Sequence, residues 1–457
     1  MPRVLFLSPS ASSHGGFESV LCHLCRRLPN FGWEAVLGLA RGAKFHDPAR
    51  FLAENGPLHA VELDGTRGTF HARRTAIETA VRETAPDMVV GARLFDAIPA
   101  MHSLRGKGFH RPFVQMIGGW DADGFSDLRR YREIVDFCVV DSRLLEGTIV
   151  EKCGMAPVRV KRIPTGIDGP GVFERVPGGS SLRLCYVGRL DDADKRACDI
   201  VPFVKELSRR DVDFVLAVAG EGRDREFIEG ALQGEVARGL VRFEGWLTSV
   251  DLHAFLLRQD VLVQFSPAEG LTISPREGLV RGVVPVLSEF TGFFTEGLFR
   301  PESNCLSFPV GEISLAADQV GRLQRDRCLL ARLSESARDS QDGAFIAPND
   351  IKEWAAFLDG AATTSSAGDS TAARFPEDSG RLNRLPRSLQ RLFRRFSRHA
   401  HAEAGGEWPH VSGWTTEEER REFAGFALEQ EKQNRQCGVA GRRPFPDGGL
   451  PVDEQDR

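Results

Sequence analysis

Short apolar runs alternate with amphipathic segments from residue 1 to about residue 345. Residues 4–8 predict a buried strand, and 16–28 a helix with Val20, Leu21, Leu24 and Leu28 on one stripe. Further strands are expected at 35–39, 58–63, 88–91, 113–117 and 137–141. The runs Phe-Cys-Val-Val and Met-Val-Val are apolar without alternation, as in parallel strands covered on both faces. A second series is expected at 182–187, 214–219, 241–243, 261–265 and 284–287. Ile200, Phe203, Val204 and Leu207 carry the helix between its first two strands. A Gly- and Pro-rich break at 164–181 separates the series. Strand–helix alternation, twice over, predicts two doubly wound α/β domains, 1–170 and 171–345.

The pattern changes after a short amphipathic helix at 350–358. Residues 361–380 are mostly Ser, Thr, Ala, Gly and Asp, a linker composition. Residues 381–398 hold seven arginines and no acid, with Leu385, Leu389, Leu392 and Phe396 on one helical face. That segment suits an anionic membrane surface, or a basic tail docked on the protein's own acidic surface. A mixed-charge helix is expected at 415–434. The whole of 361–457 is expected as a flexible linker and a basic, amphipathic, partly disordered tail.

The 457 residues are too many for one ordinary core. Hydrophobic residues make up 41% and charged residues 27%, a soluble globular balance. The net charge of −5 argues against a nucleic-acid partner for the chain as a whole. The first apolar run is too short for a signal-peptide core, and no stretch is long enough to span a bilayer. The expected location is cytoplasmic, with the inner face of a membrane as the peripheral alternative. Nine scattered cysteines read as reduced thiols, and Cys22-x-x-Cys25 has no second pair to complete a metal site.

Several residues carry candidate chemistry. Arg189 and Lys195 follow the first strand of the second domain, where α/β sheets bind ligands; they suit phosphate groups, or pair with Asp191, Asp192 and Asp194. Ser274-Pro275-Arg276-Glu277 has the form of a capping box with Pro at the first helical position. Gly15 and Gly16 form a strand-to-helix turn whose N–H groups can meet a phosphate. Asp191-Asp-Ala-Asp194 reads as a solvated acidic loop rather than a metal site.

The motif Glu269-Gly-Leu-Thr-Ile-Ser-Pro-Arg-Glu277 resembles the Glu-x7-Glu hallmark of the family-4 retaining glycosyltransferases of the GT-B fold, known also as glycosyl transferases group 1. Other motifs in the same order match the family: His14-Gly-Gly-Phe-Glu18, Ile163-Pro-Thr-Gly-Ile-Asp168, Tyr186-Val-Gly-Arg-Leu190 with Lys195, and Ala219-Gly-Glu-Gly222. The resemblance covers residues 1 to about 358. It implies two Rossmann-like domains facing a cleft: an acceptor-side domain, a nucleotide-sugar domain, and a helix at 346–360 crossing back. It implies transfer of a sugar from a nucleoside diphosphate sugar to a sugar or lipid-linked acceptor hydroxyl, with retention and without metal or other cofactor. Polysaccharide, glycolipid or cell-envelope synthesis is the expected setting.

By the same resemblance Arg189 and Lys195 neutralise the diphosphate. Glu277 binds the ribose hydroxyls, and Glu269 lies beneath the donor sugar as nucleophile or charge stabiliser. The N–H groups of Gly270, Leu271 and Thr272 hold the phosphate, and Gly15, Gly16, Gly188, Gly220 and Gly222 let the backbone approach the donor. Relatives carry a His after the strand at 113–117; this chain reads Gln115-Met-Ile-Gly-Gly-Trp-Asp121. Acceptor recognition is expected on loops 65–71 and 120–126. The alternatives are a non-catalytic scaffold on the same fold, or a nucleotide-sugar epimerase or phosphorylase.

Overall fold

The computed structural model describes residues 1–11, 15–167, 179–339, 347–364, 373–375 and 407–437. Seven strands form the first sheet: β1 (Arg3–Ser8), β2 (Glu34–Arg41), β3 (Ala60–Asp64), β4 (Met88–Ala92), β5 (Phe113–Ile117), β6 (Phe137–Val140) and β7 (Val160–Arg162). Six form the second: β8 (Leu182–Val187), β9 (Phe214–Ala219), β10 (Val241–Gly245), β11 (Val261–Gln264), β12 (Val284–Ser288) and β13 (Leu306–Phe308). The orders are 3-2-1-4-5-6-7 and 10-9-8-11-12-13, with every pairing parallel.

The period of two along each strand divides the core. Leu5 and Leu7 enter one cluster while Val4 and Phe6 enter the cluster on the opposite face. In the second sheet Leu184 and Tyr186 face one way and Cys185 the other. Both faces are therefore helix-covered, which explains the unbroken apolar runs. The three-residue edge strands β7 and β13 are too short to leave a periodic signal.

The strand order reverses between β1 and β4 and again between β8 and β11. Chain leaving neighbouring strands to opposite sides opens a crevice at their carboxyl ends. The two crevices face each other across one cleft.

Helix Asn349–Ala362 packs on the first domain, not the second. Ile351, Trp354, Ala355 and Leu358 join the cluster of Val4 and Phe6. Trp33 Nε1 donates to Asp359 at 2.8 Å, and Gly166 N to Asp350 at 2.9 Å.

The expected linker and tail gives way to packed structure at 407–437. Glu407 accepts from the backbone N of Lys44 and Phe45 at 2.6 and 2.9 Å. Trp408 is fully buried, and its Nε1 donates to the Arg41 carbonyl at 2.9 Å. Helix Glu417–Cys437 then lies on helix Ala122–Tyr131. Phe423 packs on Phe125 with ring centres 5.3 Å apart, and Arg129 clasps Glu422 with two bonds of 2.9 and 3.0 Å. Its far end reaches the second domain: Glu431 accepts from Gly292 N, Phe294 N and Thr295 Oγ1 at 3.0, 3.2 and 2.9 Å. The arginine-rich segment 381–398 lies outside the described residues, as do His14 and Asp168.

Candidate active site in the interdomain cleft

The cleft has a volume of about 1190 Å³ and is walled by both domains. Gly15, Gly16, Gly188, Arg189, Lys195, Gly220, Glu269, Gly270, Leu271, Thr272 and Glu277 all line it. Gly222 does not. A Cβ there would stand 2.2 Å from the Leu190 carbonyl oxygen, so its lack of a side chain serves packing of the β8 and β9 loops. Gly220, at φ +150°, is as tight: its Cβ would lie 1.9 Å from Gly188 O.

The loop after β11 centres the site. Lys195 Nζ meets Glu269 Oε1 at 2.5 Å. Gln264, at the end of β11 and buried, donates to the same oxygen at 2.8 Å, and its amide oxygen accepts from Thr272 Oγ1 at 3.2 Å. Two donors on one carboxylate oxygen fix its position in a partly desolvated setting. Glu269 N also donates to Thr291 O at 3.1 Å, so loop 289–296 backs the glutamate. Sequence reasoning missed Gln264; a glutamine closing an otherwise apolar strand was the available signal.

Arg189 donates to Asp194 at 2.6 Å, and Asp191 caps the turn Asp192–Lys195 through the N–H groups of Ala193 and Asp194. Asp191 also accepts from Arg223 at 2.9 Å. The acidic run is thus a helix cap and two ion pairs. Among the described residues no three His, Cys, Asp or Glu converge as a metal site. Burial pushes the Cys22 thiol up to about 11, and that of Cys25 further up.

The capping box does not form. Helix Ser274–Val280 begins at Ile273, already at helical φ −89° and ψ −58°, so Ser274 stands inside the first turn. Its hydroxyl donates to Val187 O at 2.8 Å, tying β8 to the helix, and Glu277 faces the cleft.

A second residue missed by sequence reasoning is Asp141, just past β6. Its carboxyl is pushed up to about 7, chiefly by burial and then by Glu296, with the Leu271 backbone N–H opposing. Leu271 itself lines the cleft beside it. A Cβ on Gly270 would stand 2.8 Å from Asp141 Oδ1 and 3.2 Å from Gly119 Cα, so the domains meet at this glycine.

On the first-domain wall, Gly15 ends the turn before helix Gly16–Arg27 in extended conformation, and Glu18 is buried in the first turn. Trp120, Asp121, Asp123 and Gly124 line the cleft, whereas loop 65–71 does not. Gly65 instead lies under Trp408, 2.5 Å from its ring if it bore a Cβ. The strand end and loop at 115–121 bring Gln115 and Gly118 to the cleft, and no histidine. A histidine enters from elsewhere: His410 lines the cleft, carried in by the segment that Trp408 anchors.

Residues 176–340 match the family model for glycosyl transferases group 1. Glycogen synthase of Mycobacterium tuberculosis is 27% identical over 206 residues, 44% of this chain and 49% of the synthase. The chain thus matches about half the length of that relative. The GDP-mannose:cellobiosyl-diphosphopolyprenol alpha-mannosyltransferase of Xanthomonas campestris is 25% identical over 360 residues, covering 74% of this chain and 90% of that protein. Among solved structures, sucrose-phosphate synthase from Thermosynechococcus elongatus superimposes with a TM-score of 0.65 at 16% identity, over 79% of this chain and 99% of the synthase. HepE of Anabaena, in complex with UDP-glucose, superimposes with a TM-score of 0.61 at 17% identity, over 79% and 100%. These likenesses show the two-domain GT-B fold.

Proposed function

We propose, on the premise that this chain belongs to the glycosyl transferases group 1 through its second domain, that it transfers a sugar from a nucleoside diphosphate sugar to an acceptor hydroxyl with retention of configuration. The observation that carries this reading is the convergence of Lys195 and Glu269, 2.5 Å apart, with Arg189, Glu277 and the Gly15–Gly16 turn on one cleft. The leaving nucleoside diphosphate gains negative charge as the glycosidic bond breaks. Fixed cations in a cleft of low dielectric stabilise that charge without reorganising. Arg189 and Lys195 supply them from the second domain, and the N-terminus of helix Gly16–Arg27 adds its N–H groups from the first.

Glu277 receives the ribose hydroxyls, a diol that a carboxylate matches with two acceptor oxygens. Glu269 holds the donor sugar near its anomeric carbon. With Oε1 committed to Lys195 and Gln264, this carboxylate serves as an electrostatic and hydrogen-bonding support for the developing oxocarbenium ion. The acceptor hydroxyl then attacks from the side the diphosphate leaves, and the departing phosphate oxygen takes its proton. This metal-independent family-4 reading places the reaction in polysaccharide, glycolipid or cell-envelope glycan synthesis on the cytoplasmic side. Among the described residues no helix is long and apolar enough to cross a membrane.

The test is a titration of UDP, GDP and ADP into the protein and into Arg189→Ala and Lys195→Ala, read as melting temperature. A ligand bound only by the folded state adds about 2.7 kcal/mol at a hundredfold excess over its Kd. One nucleotide should stabilise the wild type and lose most of its effect in both variants. No shift at millimolar nucleotide would favour a non-catalytic scaffold.

A further inference from the structure

Arg93 follows β4 at the switch point of the first sheet and lines the cleft. Its backbone is left-handed, at φ +54°, a conformation that a branchless glycine adopts readily and an arginine does not. Such strain persists where the surroundings hold it, and it gathers at binding sites. No carboxylate among the described residues pairs with the guanidinium, which stands over the Phe17 ring at 5.9 Å. The two cations of the opposite wall have acid partners: Arg189 has Asp194 and Lys195 has Glu269. Asp121, whose carboxylate feels the charge of Arg93, caps its own helix through Asp123 N at 3.0 Å.

His410 is fixed beside Arg93 by the backbone. Phe95 N, two residues beyond Arg93, donates to Pro409 O at 3.0 Å, and Ser412 N donates to Asp127 at 2.7 Å on the other side of the histidine. Burial, and then Arg93, His46 and Arg189, push the imidazole down to about 3, with Asp194 opposing. It is therefore neutral, with a ring N–H to donate into a field of positive sign.

We propose that Arg93 and His410 form a subsite on the first-domain wall of the cleft that binds a phosphate group of the acceptor. The inference rests on the transferase reading for the word acceptor. The donor diphosphate is served by Arg189 and Lys195 on the opposite domain. A guanidinium that forms no ion pair among the described residues, with a neutral N–H donor beside it, matches a phosphate by charge and by hydrogen bonding. The acceptor is then a phosphorylated or diphosphate-linked sugar rather than a neutral glycan.

The test is calorimetric titration of inorganic pyrophosphate into the full chain saturated with whichever nucleoside diphosphate binds it, repeated with Arg93→Asn and His410→Ala. Asparagine tolerates the left-handed backbone, and residue 410 lies in a connecting segment, so at least one variant folds. The expected result is a second anion site, weakened at least tenfold in Arg93→Asn and severalfold in His410→Ala, with nucleotide affinity unchanged within twofold. Loss of nucleotide affinity by the same factor would assign Arg93 to the donor phosphates and overturn the proposal. So would absence of pyrophosphate binding beside bound nucleotide. If no nucleotide binds, the transferase reading fails by itself, and pyrophosphate is titrated alone. Binding that depends on Arg93 then supports the subsite, and no binding overturns it.

Discussion

Lys195 Nζ and Glu269 Oε1 lie 2.5 Å apart, joining the loop after β8 to the loop after β11 across the switch point of the second sheet. Each is the other's counter-charge, and both belong to the proposed donor site. Lys195→Ala removes the cation from the leaving phosphate and leaves Glu269 with Gln264 as its remaining named donor. Turnover should fall by about a hundredfold or more, the scale of a lost transition-state donor. Lys195→Arg should recover part of it. A kcat within threefold of wild type for the alanine variant, in a steady-state assay with the donor identified by titration, would remove Lys195 from the chemistry.

Gln264 acts through Glu269 and Thr272, not on substrate. Gln264→Leu keeps the volume and deletes its three side-chain hydrogen bonds, to Ser266, Glu269 and Thr272, so kcat should fall roughly tenfold while the KM for donor changes little. Gln264→Glu should be worse, because it sets a second buried carboxylate 2.8 Å from the first. A change confined to KM would show that the glutamine contacts substrate directly.

Gly220→Ala forces a Cβ to within 1.9 Å of Gly188 O at a backbone φ of +150°. Both loops are backbone and cannot yield as a flexible side chain does. The variant should lose about 2–4 kcal/mol of stability, visible as a lowered melting temperature. An unchanged melting temperature would mean that the β8 and β9 loops move apart at little cost.

Asp141 gives the fold a pH dependence of definite sign. Its carboxyl titrates near 7 in the folded protein against an ordinary 3.8. Between those values the folded state holds a proton that the unfolded chain has released. Stability from this group therefore falls as pH rises from about 4 to about 7, and levels off above. Asp141→Asn removes the slope and keeps the shape of the side chain. Relative to wild type it should gain on the order of 1–4 kcal/mol between pH 5 and pH 8. Parallel curves of melting temperature against pH for the two proteins would exclude the effect.

Most sheet strands were legible because they are covered on both faces and read as unbroken apolar runs; β4 and β6 show this. Lys195 and Glu269 were legible through motif spacing. Gln264 and Asp141 were not, because their roles come from tertiary contacts, to Glu269 and to the Leu271 amide, that no local pattern encodes. Ser274 illustrates the converse. Its spacing to Glu277 fits a cap, but the chain enters the helix one residue earlier, and the hydroxyl is drawn to Val187. The helix at 415–434 was legible, but its apolar stripe of Phe423, Phe426 and Ala427 is a single turn and Trp408 stands in a polar stretch, so the docking of 407–437 was hidden.

Helix Glu417–Cys437 is pinned by Phe423 to one domain and by Glu431 to the other, eight residues or about 12 Å of rigid rod between them. A rod fixed at both ends sets a constant separation along its own line. The two halves can then swing about that line but cannot draw apart along it. A motion that kept both contacts would be a pivot with the Glu269 loop beside its axis, because Glu431 grips Gly292 next to Thr291, which backs Glu269. The consequence is mechanical: such a swing would change the width of the cleft mouth more than the position of the carboxylate at its base.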